Sequence, residues 1–399
     1  AAQRQVWNTG GAVAVKLIRT ARFFRVLVPA LAVALGITWV AFVTLSDGAS
    51  SPTGRLGGDF PAFYGAGRLI LEGRATDLYT PGAQADAQVG LFPDSPPPST
   101  GTSALQPEQS HRGFLMFAYP PYVAAAYAPL AALPYRAAYA VHTLFMALCL
   151  LAAVWIAGLE VPLVARHRGL VFSASLLFYP AFESIRGGQN ATLTLLLVAL
   201  LWRTLSRQKY AWAGLLLAAL LFKPQFAAAF LLVTLAVGAW RVLPTFALGA
   251  AAFWGLGAAV SGVGWAPPWW RWAAAFRTYD AGLNAGIAIS LPGLLEGVAP
   301  TLGYPFDPTA SWVLSSLLLG FGLGAVGFGR SRFPSVSKGA WIAIAAPWIV
   351  FSLPHAMHYD AAVALVAGYV AVGQRWRCCR VAAARRRGFL GLRPQRGDP

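Results

Sequence analysis

Residues 26–45 read VLVPALAVALGITWVAFVTL, a stretch without a single charged side chain. A helix needs roughly 20 apolar residues to cross the hydrocarbon core of a bilayer, so this stretch predicts a membrane-spanning helix. The whole chain has the same character, because 57% of its 399 residues are hydrophobic and only 11% are charged. Soluble domains carry about 25% charged residues, so the composition excludes a soluble globular protein.

Further apolar stretches predict an all-α polytopic membrane protein with about ten transmembrane helices, in a range of roughly nine to twelve. After the first span, the predicted spans are 137–158, 170–183, 191–204, 210–222, 225–240, 242–260, 310–329, 338–354 and 360–374. Segment 119–133 contains several prolines and fits either a tilted span or a half-helix. The predicted transmembrane domain therefore covers residues 26–374.

The formal net charge is +17, from 31 Lys and Arg residues against 14 Asp and Glu residues. Such an excess is typical of nucleic-acid binders, but this chain has too few charges to cover a soluble surface. Instead, 22 of the 31 basic residues fall in segments that the positive-inside rule assigns to the cytoplasm. The pattern predicts a multi-pass protein of the plasma (inner) membrane with a cytoplasmic basic N-terminus (1–25) and tail (375–399). The two long loops, 46–118 and 261–309, are then extracytoplasmic.

The first long loop begins with an apolar, aromatic stretch at 60–71, which predicts an interfacial amphipathic helix. The following stretch, 82–110, is rich in Pro, Ser and Gln and is predicted to be mobile. The side chains predicted to face the membrane or a lipid acceptor are Phe60, Phe63, Tyr64, Ile70 and Tyr119.

Cysteine and histidine spacing predicts neither a disulfide framework nor a metal site. His355 and His358 are only three residues apart and have no evident third ligand. The glycine pattern at 322–327 matches a dinucleotide fingerprint, but no strand precedes it and no acidic residue follows it, so close helix packing is the favoured interpretation. We expect no bound cofactor and no nucleic-acid partner; membrane lipids are the expected surroundings.

Polar residues from several segments fall on the extracytoplasmic face under this one topology. A carboxylate there can accept a proton from a hydroxyl group, and cations can stabilise the charge on a departing phosphate. This combination predicts glycosyl transfer from a lipid-phosphate donor, with Asp59 as general base. The residues predicted to bind the donor phosphate or sugar are Arg68, Arg186, Gln189, Asn190, Lys223, His355, His358 and Asp360. Simpler roles stay open, namely a helix cap for Asp59 and a snorkelling cation for Lys223.

The stretch from Gly58 to Tyr79 resembles the first-loop signature of family 87 glycosyltransferases. The segments 119–121, 187–190 and 223–225 are similar to later motifs of that family, in the same order. The resemblance implies a GT-C-type fold and a polyprenyl-phosphate sugar as donor substrate, as in mycobacterial mannosyl- and arabinosyltransferases. It also implies that Asp59 matches the family's catalytic base.

Two other function classes remain as alternatives. A transporter or flippase for lipid-linked sugars would place ionisable residues near the bilayer midplane and would show internal repeats. The sequence shows neither pattern clearly. A non-catalytic assembly subunit would tolerate the loss of Asp59.

Overall fold

The computed structural model describes residues 2–51, 54–91, 114–284, 288–304 and 308–373. The predicted basic tail, 375–399, lies outside the described residues, as do residues 92–113 of the stretch predicted to be mobile. In the N-terminal segment 1–25, the side chains of the first 22 residues lie outside them as well.

The described residues form helices and one small antiparallel hairpin, in agreement with the predicted all-α class. In chain order the helices are α1 (Ala2–Thr44), α2 (Phe60–Leu71), α3 (Pro81–Ala87), α4 (Pro121–Ala131), α5 (Tyr135–Glu160), α6 (Pro162–Arg166), α7 (Arg168–Leu177), α8 (Tyr179–Arg186), α9 (Ala191–Ser206), α10 (Tyr210–Ala219), α11 (Pro224–Ala236), α12 (Leu243–Ser261), α13 (Ala266–Asn284), α14 (Leu291–Val298), α15 (Pro308–Arg332), α16 (Lys338–Ser352) and α17 (His358–Gly373). Short 3-10 turns lie at Ala75–Asp77, Leu220–Phe222, Trp240–Val242, Pro300–Leu302 and His358–Ala364, the last being the start of α17. The hairpin strands are β1 (Ser50–Ser51) and β2 (Gly54–Arg55), with Ser50 opposite Arg55.

Within the described residues, four helical stretches are long and apolar enough to cross a membrane. They are Phe23–Thr44, Tyr135–Glu160, Trp240–Ser261 and Thr309–Arg332. Each of them overlaps a span predicted from the sequence. Six shorter apolar helices cover most of the other predicted spans, and the total of about ten crossings stays a prediction.

The long helices expose large apolar side chains on their outer faces. Leu144 on α5 is 61% exposed, Leu248 on α12 is 68% exposed and Phe321 on α15 is 70% exposed. Contiguous apolar surface of this kind is unfavourable in water and is expected where lipid is the solvent. The polar and aromatic clusters described below lie inside the bundle, around helix α9, which packs against α5, α10, α16 and α17.

The predicted span 170–183 is wrong, because the structure divides it into α7 and α8. Helix α7 ends at Leu177, the backbone of the following Phe178 is extended, and Pro180 lies in the first turn of α8. Proline fits the first turn of a helix but not its interior, so the chain turns at this point. Helix α4, the core of the ambiguous segment 119–133, has 11 residues. At 1.5 Å per residue it is about 16 Å long, roughly half of the hydrocarbon thickness.

Helix α2 has the bounds predicted for the interfacial helix, but the prediction that its aromatic residues face the membrane is wrong. Phe60, Phe63 and Tyr64 are 0%, 1% and 8% exposed. Helix α4 packs along α2, and the Tyr64 hydroxyl donates to the Leu133 carbonyl oxygen at 2.8 Å. The sequence pattern did not show that neighbouring helices cover both faces of α2.

Candidate active site

Two glycine-rich turns, one before α2 and one before α9, pack directly against each other. The backbone N–H of Asp59 donates to the Gly187 carbonyl oxygen at 2.9 Å. A Cβ atom on Gly58 would lie 2.7 Å from that same oxygen, and Gly58 has a positive φ of +54°. Only glycine allows two backbones to approach this closely in such a conformation. The turns thereby fix Asp59 next to the loop 187–190.

Gly188 provides a direct test of this close packing. Its φ is +66°, and an added Cβ would lie 2.5 Å from the Gly57 carbonyl oxygen. We expect Gly188→Ala to reduce the free energy of unfolding by about 1–3 kcal/mol more than Gly73→Ala. Gly73 is the matched control, because its φ is +71° and nothing lies within 4 Å of its added Cβ. Equal losses in denaturant unfolding of the two variants would contradict the packing argument.

The Asp59 carboxylate is held by Gln189. The side-chain amide nitrogen Nε2 of Gln189 donates a short hydrogen bond to Asp59 Oδ2. Asp59 occupies the N-cap position of α2, but its side chain makes no capping hydrogen bond. The carboxylate is half-buried, so it is fixed in orientation and still reachable. The simpler role of a helix cap does not account for this arrangement.

One face of helix α5 supports both glycine turns, and sequence reasoning missed it. The Tyr135 hydroxyl donates to the Leu56 carbonyl oxygen at 2.7 Å, on the first turn. The Tyr139 hydroxyl donates to the Arg186 carbonyl oxygen at 2.5 Å, on the second turn. His142 lies one turn further along and is 2% exposed. The sequence contained a signal for this face: Tyr135, Tyr139 and His142 are aromatic residues with polar groups, and they recur at helical spacing in an apolar span.

The segment 114–119, which has no regular secondary structure, is held in place by Gln84 of α3 and by Gln88, the residue that follows this helix. The Gln84 amide exchanges hydrogen bonds with the backbone of Phe117, and the Gln88 amide does the same with Leu115. The indole N–H of Trp272 also donates to the Phe117 carbonyl oxygen, and the indole N–H of Trp269 donates to the Ala118 carbonyl oxygen. These bonds satisfy the backbone without a neighbouring strand and fix the residue that follows, Tyr119.

Tyr119, predicted to face a lipid acceptor, lies near enough to both carboxylates of the site for their charges to affect its phenol. Burial raises the pKa of its phenol well above the usual value of 10, and the charges of Asp360 and Asp59 raise it further. A hydrogen bond from the side chain of Asn190 opposes this rise in pKa. The phenol therefore stays neutral over the pH range in which enzymes work.

The raised pKa of Tyr119 predicts a loss of stability at alkaline pH. Because the phenol in the unfolded chain loses its proton first, its contribution to stability is complete below pH 10 and declines above it. We expect the wild type to lose about 1 kcal/mol more than Tyr119→Phe between pH 9 and pH 11. The control is Tyr304→Phe, at a tyrosine that is 71% exposed. If the free energy of unfolding depended on pH identically in the wild type and in Tyr119→Phe, the raised pKa of Tyr119 would be contradicted.

Lys223 and Asp360 form a buried ion pair. Lys223 Nζ donates to Asp360 Oδ1 at 2.7 Å, and the two side chains are 5% and 6% exposed. Lys223 lies at the junction between a 3-10 turn and α11, where Pro224 starts the helix. Asp360 Oδ2 accepts the backbone N–H of Met357 and so fixes the start of α17. Lys223 does not snorkel to a surface; it is buried beside a counter-charge.

The two histidines predicted at the site differ in their surroundings. The His358 ring stacks on Tyr179 with centroids 5.6 Å apart, and both of its ring nitrogens are buried without a hydrogen bond in the described part of the chain. His355 contacts Phe276 of α13 edge-on, with centroids 5.8 Å apart. His358 is thus the histidine with buried, unpaired ring nitrogens among the described residues, and it lies two residues before Asp360 in the chain.

The predicted arginine ligands lie at the edge of the site or away from it. Arg186 precedes Gly187, but its guanidinium pairs with Glu183 at 2.6 Å and is 44% exposed. Arg68 is nine residues along α2 from Asp59, about 13 Å at helical rise. It donates to the Ala87 carbonyl oxygen at 3.1 Å. The structure does not bring Arg68 together with the other predicted residues.

Polar atoms without partners concentrate at this site. In the described parts of the chain, eight buried side-chain polar atoms make no hydrogen bond, and five of them belong to His142, Gln189, Asn190 and His358. Buried polar groups are nearly always paired, so such a cluster indicates a place that binds a polar ligand. The same described residues contain no group of three or more His, Cys, Asp or Glu placed to hold a metal ion.

Comparison with known families gives this geometry a context. Residues 117–353 match the sequence model of glycosyltransferase family 87. The chain belongs to this family. No curated protein and no solved structure matches the chain. The transferase match includes Tyr119, the loop 187–190 and Lys223.

Asp59 and Asp360 lie on either side of the matched range in sequence, and the fold joins them to it. Asp59 accepts a hydrogen bond from Gln189, which lies within the matched range, and Asp360 accepts one from Lys223, which also lies within it. A separate cavity of about 220 Å³ lies between α11, α15 and α16 of the transferase. Its lining is almost entirely apolar and includes none of the candidate site residues.

Proposed function

We propose that this transferase moves a mannose- or arabinose-like sugar from a polyprenyl-phosphate donor to a hydroxyl group of a lipid or glycan acceptor, with inversion at the anomeric carbon. The observation that carries the proposal is the hydrogen bond from Gln189 to the Asp59 carboxylate. It fixes a potential base. The charges of both Asp59 and Asp360 raise the pKa of Tyr119, which links this base to the buried Lys223–Asp360 pair.

Asp59 acts as the general base in this proposal. The carboxylate takes the proton of the acceptor hydroxyl while the acceptor oxygen forms a bond to the anomeric carbon of the sugar. The bond between that carbon and the phosphate oxygen breaks, and its electron pair leaves with the phosphate. One displacement at one carbon inverts its configuration. A positioned base contributes roughly 10²–10⁴-fold to such a step.

Lys223 is the proposed ligand of the departing phosphate. An ammonium group has three N–H donors, and Asp360 takes one of them. The remaining donors suit phosphate oxygens, whose negative charge grows as the bond breaks. His358 is a second candidate ligand, because its buried ring nitrogens have no partner among the described residues. Arg186 at the rim can attract the anionic headgroup.

The polyprenyl chain of the donor accounts for the membrane location. Four long apolar helices support a membrane protein. The predicted charge asymmetry supports an extracytoplasmic site in the plasma membrane, with both termini cytoplasmic. The proposal needs no bound cofactor, because the activated sugar arrives with its own leaving group.

The test is a donor panel. The purified full-length protein is incubated in lipid micelles with polyprenyl-phosphate mannose, polyprenyl-phosphate arabinose, nucleotide sugars and extracted lipid acceptors. We expect polyprenyl phosphate to be released in step with sugar transfer. Transfer from nucleotide sugars alone would contradict the proposed donor class. Movement of intact donor across liposomes without release would favour the flippase alternative.

A further inference from the structure

The orientation of the Gln189 side chain follows from the group that it contacts. An ionised carboxylate only accepts hydrogen bonds, so the NH₂ group of the Gln189 amide must face Asp59. The amide oxygen Oε1 therefore points to the other side. That oxygen is buried and has no partner in the described part of the protein. Gln189 as a whole is 5% exposed.

Asn190 presents a second amide oxygen. It is the N-cap residue of α9, but its side chain makes no capping hydrogen bond, although capping is the usual role of asparagine at this position. Its side chain bonds the Tyr119 hydroxyl. Its oxygen Oδ1 is buried without a partner among the residues described, and Asn190 is 2% exposed.

These two oxygens accept hydrogen bonds and cannot donate them. Phosphate oxygens of a diester are also acceptors only, so phosphate is not a suitable ligand here. Hydroxyl groups are donors and match the two oxygens. A buried site built to bind a hydroxyl group rejects an analogue that lacks it by roughly 10⁴–10⁵-fold, because the buried acceptor is then left unpaired.

The position of the two oxygens favours the donor sugar over the acceptor as the source of those hydroxyls. In a direct displacement the sugar ring lies between the base and the leaving phosphate. Gln189 contacts Asp59, and Asn190 contacts Tyr119, which senses the charge of Asp360. Gln189 therefore lies beside the proposed base, and Asn190 lies beside a tyrosine that is affected by the charge of the partner of Lys223.

We propose that Gln189 Oε1 and Asn190 Oδ1 accept hydrogen bonds from hydroxyl groups of the transferred sugar, and that the phosphate binds at Lys223 instead. This inference rests on the proposed glycosyl transfer and assigns its sugar subsite. It makes residues 189–190 determinants of sugar specificity. The substrate class is a hexose or pentose with free ring hydroxyls.

The test combines deoxy donors with an Asn190 variant. Donors that lack one sugar hydroxyl each are compared with the parent donor, on the wild type and on Asn190→Leu. We expect one deoxy donor to lower kcat/KM of the wild type by at least 100-fold. For Asn190→Leu, kcat/KM with the same deoxy donor should lie within about threefold of kcat/KM with the parent donor. Asn190→Asp, which keeps an acceptor oxygen, should retain the preference for the hydroxyl.

A second measurement needs no turnover and guards against misfolding. Binding of polyprenyl phosphate, the product without sugar, should change less than threefold in Asn190→Leu. It should weaken at least tenfold in the double variant Lys223→Met/Asp360→Leu, which lacks the ammonium but leaves no unpaired buried charge. An equal loss of polyprenyl phosphate binding in both variants would overturn the assignment. The assignment would also be overturned if removing a sugar hydroxyl lowered kcat/KM equally in the wild type and in Asn190→Leu. The same holds if kcat/KM fell only when hydroxyl groups were removed from the acceptor. Failure of the wild type to use any donor would instead contradict the proposed function.

Discussion

Replacing Asp59 by asparagine is expected to lower kcat by roughly 10²–10⁴-fold, the usual contribution of a positioned general base. Asparagine has nearly the same shape and still offers an oxygen to the Gln189 amide, so the turn before α2 should fold as in the wild type. The KM for the donor should change little, because the substitution removes proton acceptance and not sugar or phosphate contacts. The measurement is release of polyprenyl phosphate under saturating acceptor.

The control for Asp59→Asn is the same substitution at Asp77. Asp77 lies in the same loop, its side chain is 49% exposed, and it pairs only loosely with Arg74, at 3.6 Å. We expect Asp77→Asn to keep full activity. Undiminished turnover by Asp59→Asn would exclude Asp59 as the base, and the non-catalytic subunit would then become the better interpretation.

The second large effect is on stability and concerns the Lys223–Asp360 pair. Asp360→Leu should reduce the free energy of unfolding by about 3–5 kcal/mol, because it leaves a buried ammonium without its counter-charge. Lys223→Met should reduce the free energy of unfolding by a similar amount, because it leaves the buried Asp360 carboxylate without its counter-charge. The double variant Lys223→Met/Asp360→Leu should recover most of the loss, since a buried ion pair can often be replaced by apolar residues.

The three variants together form a double-mutant cycle, measured by reversible unfolding in mixed micelles. The double variant also separates stability from function, because we expect it to fold but not to turn over. Single variants as stable as the wild type would show that the pair is solvated. Wild-type turnover by the double variant would contradict the role of Lys223 in phosphate binding.

The sequence was a good guide where one local pattern decides the structure. Hydropathy alone located the helical stretches in α1, α5, α12 and α15 that are long and apolar enough to cross a membrane, since a long apolar run has few other solutions. The bounds of α2 also followed from its composition. Charge asymmetry predicted that Asp59, Gln189, Lys223 and Asp360 share one face of the membrane. The structure joins Asp59 to Gln189 and Lys223 to Asp360, and the common face stays a prediction.

The sequence could not show which faces are covered by distant segments. Phe60 and Phe63 look like lipid-facing residues until α4 and α5 pack over them. The pairing of Lys223 with Asp360 joins residues 137 positions apart, and no local pattern encodes such a contact. The role of Gln84 and Gln88 in holding the segment 114–119 was hidden for the same reason, because a glutamine in a polar loop looks like any solvated side chain.

The central claim, direct displacement assisted by Asp59, is tested most directly by the configuration of the product. The anomeric carbon–hydrogen coupling constant of the transferred sugar, measured by NMR, reports its configuration and can be compared with that of the donor. A single displacement predicts the opposite configuration in the product. Retention of the donor's configuration in the product would exclude a single displacement from the face opposite the phosphate, and would contradict the mechanism.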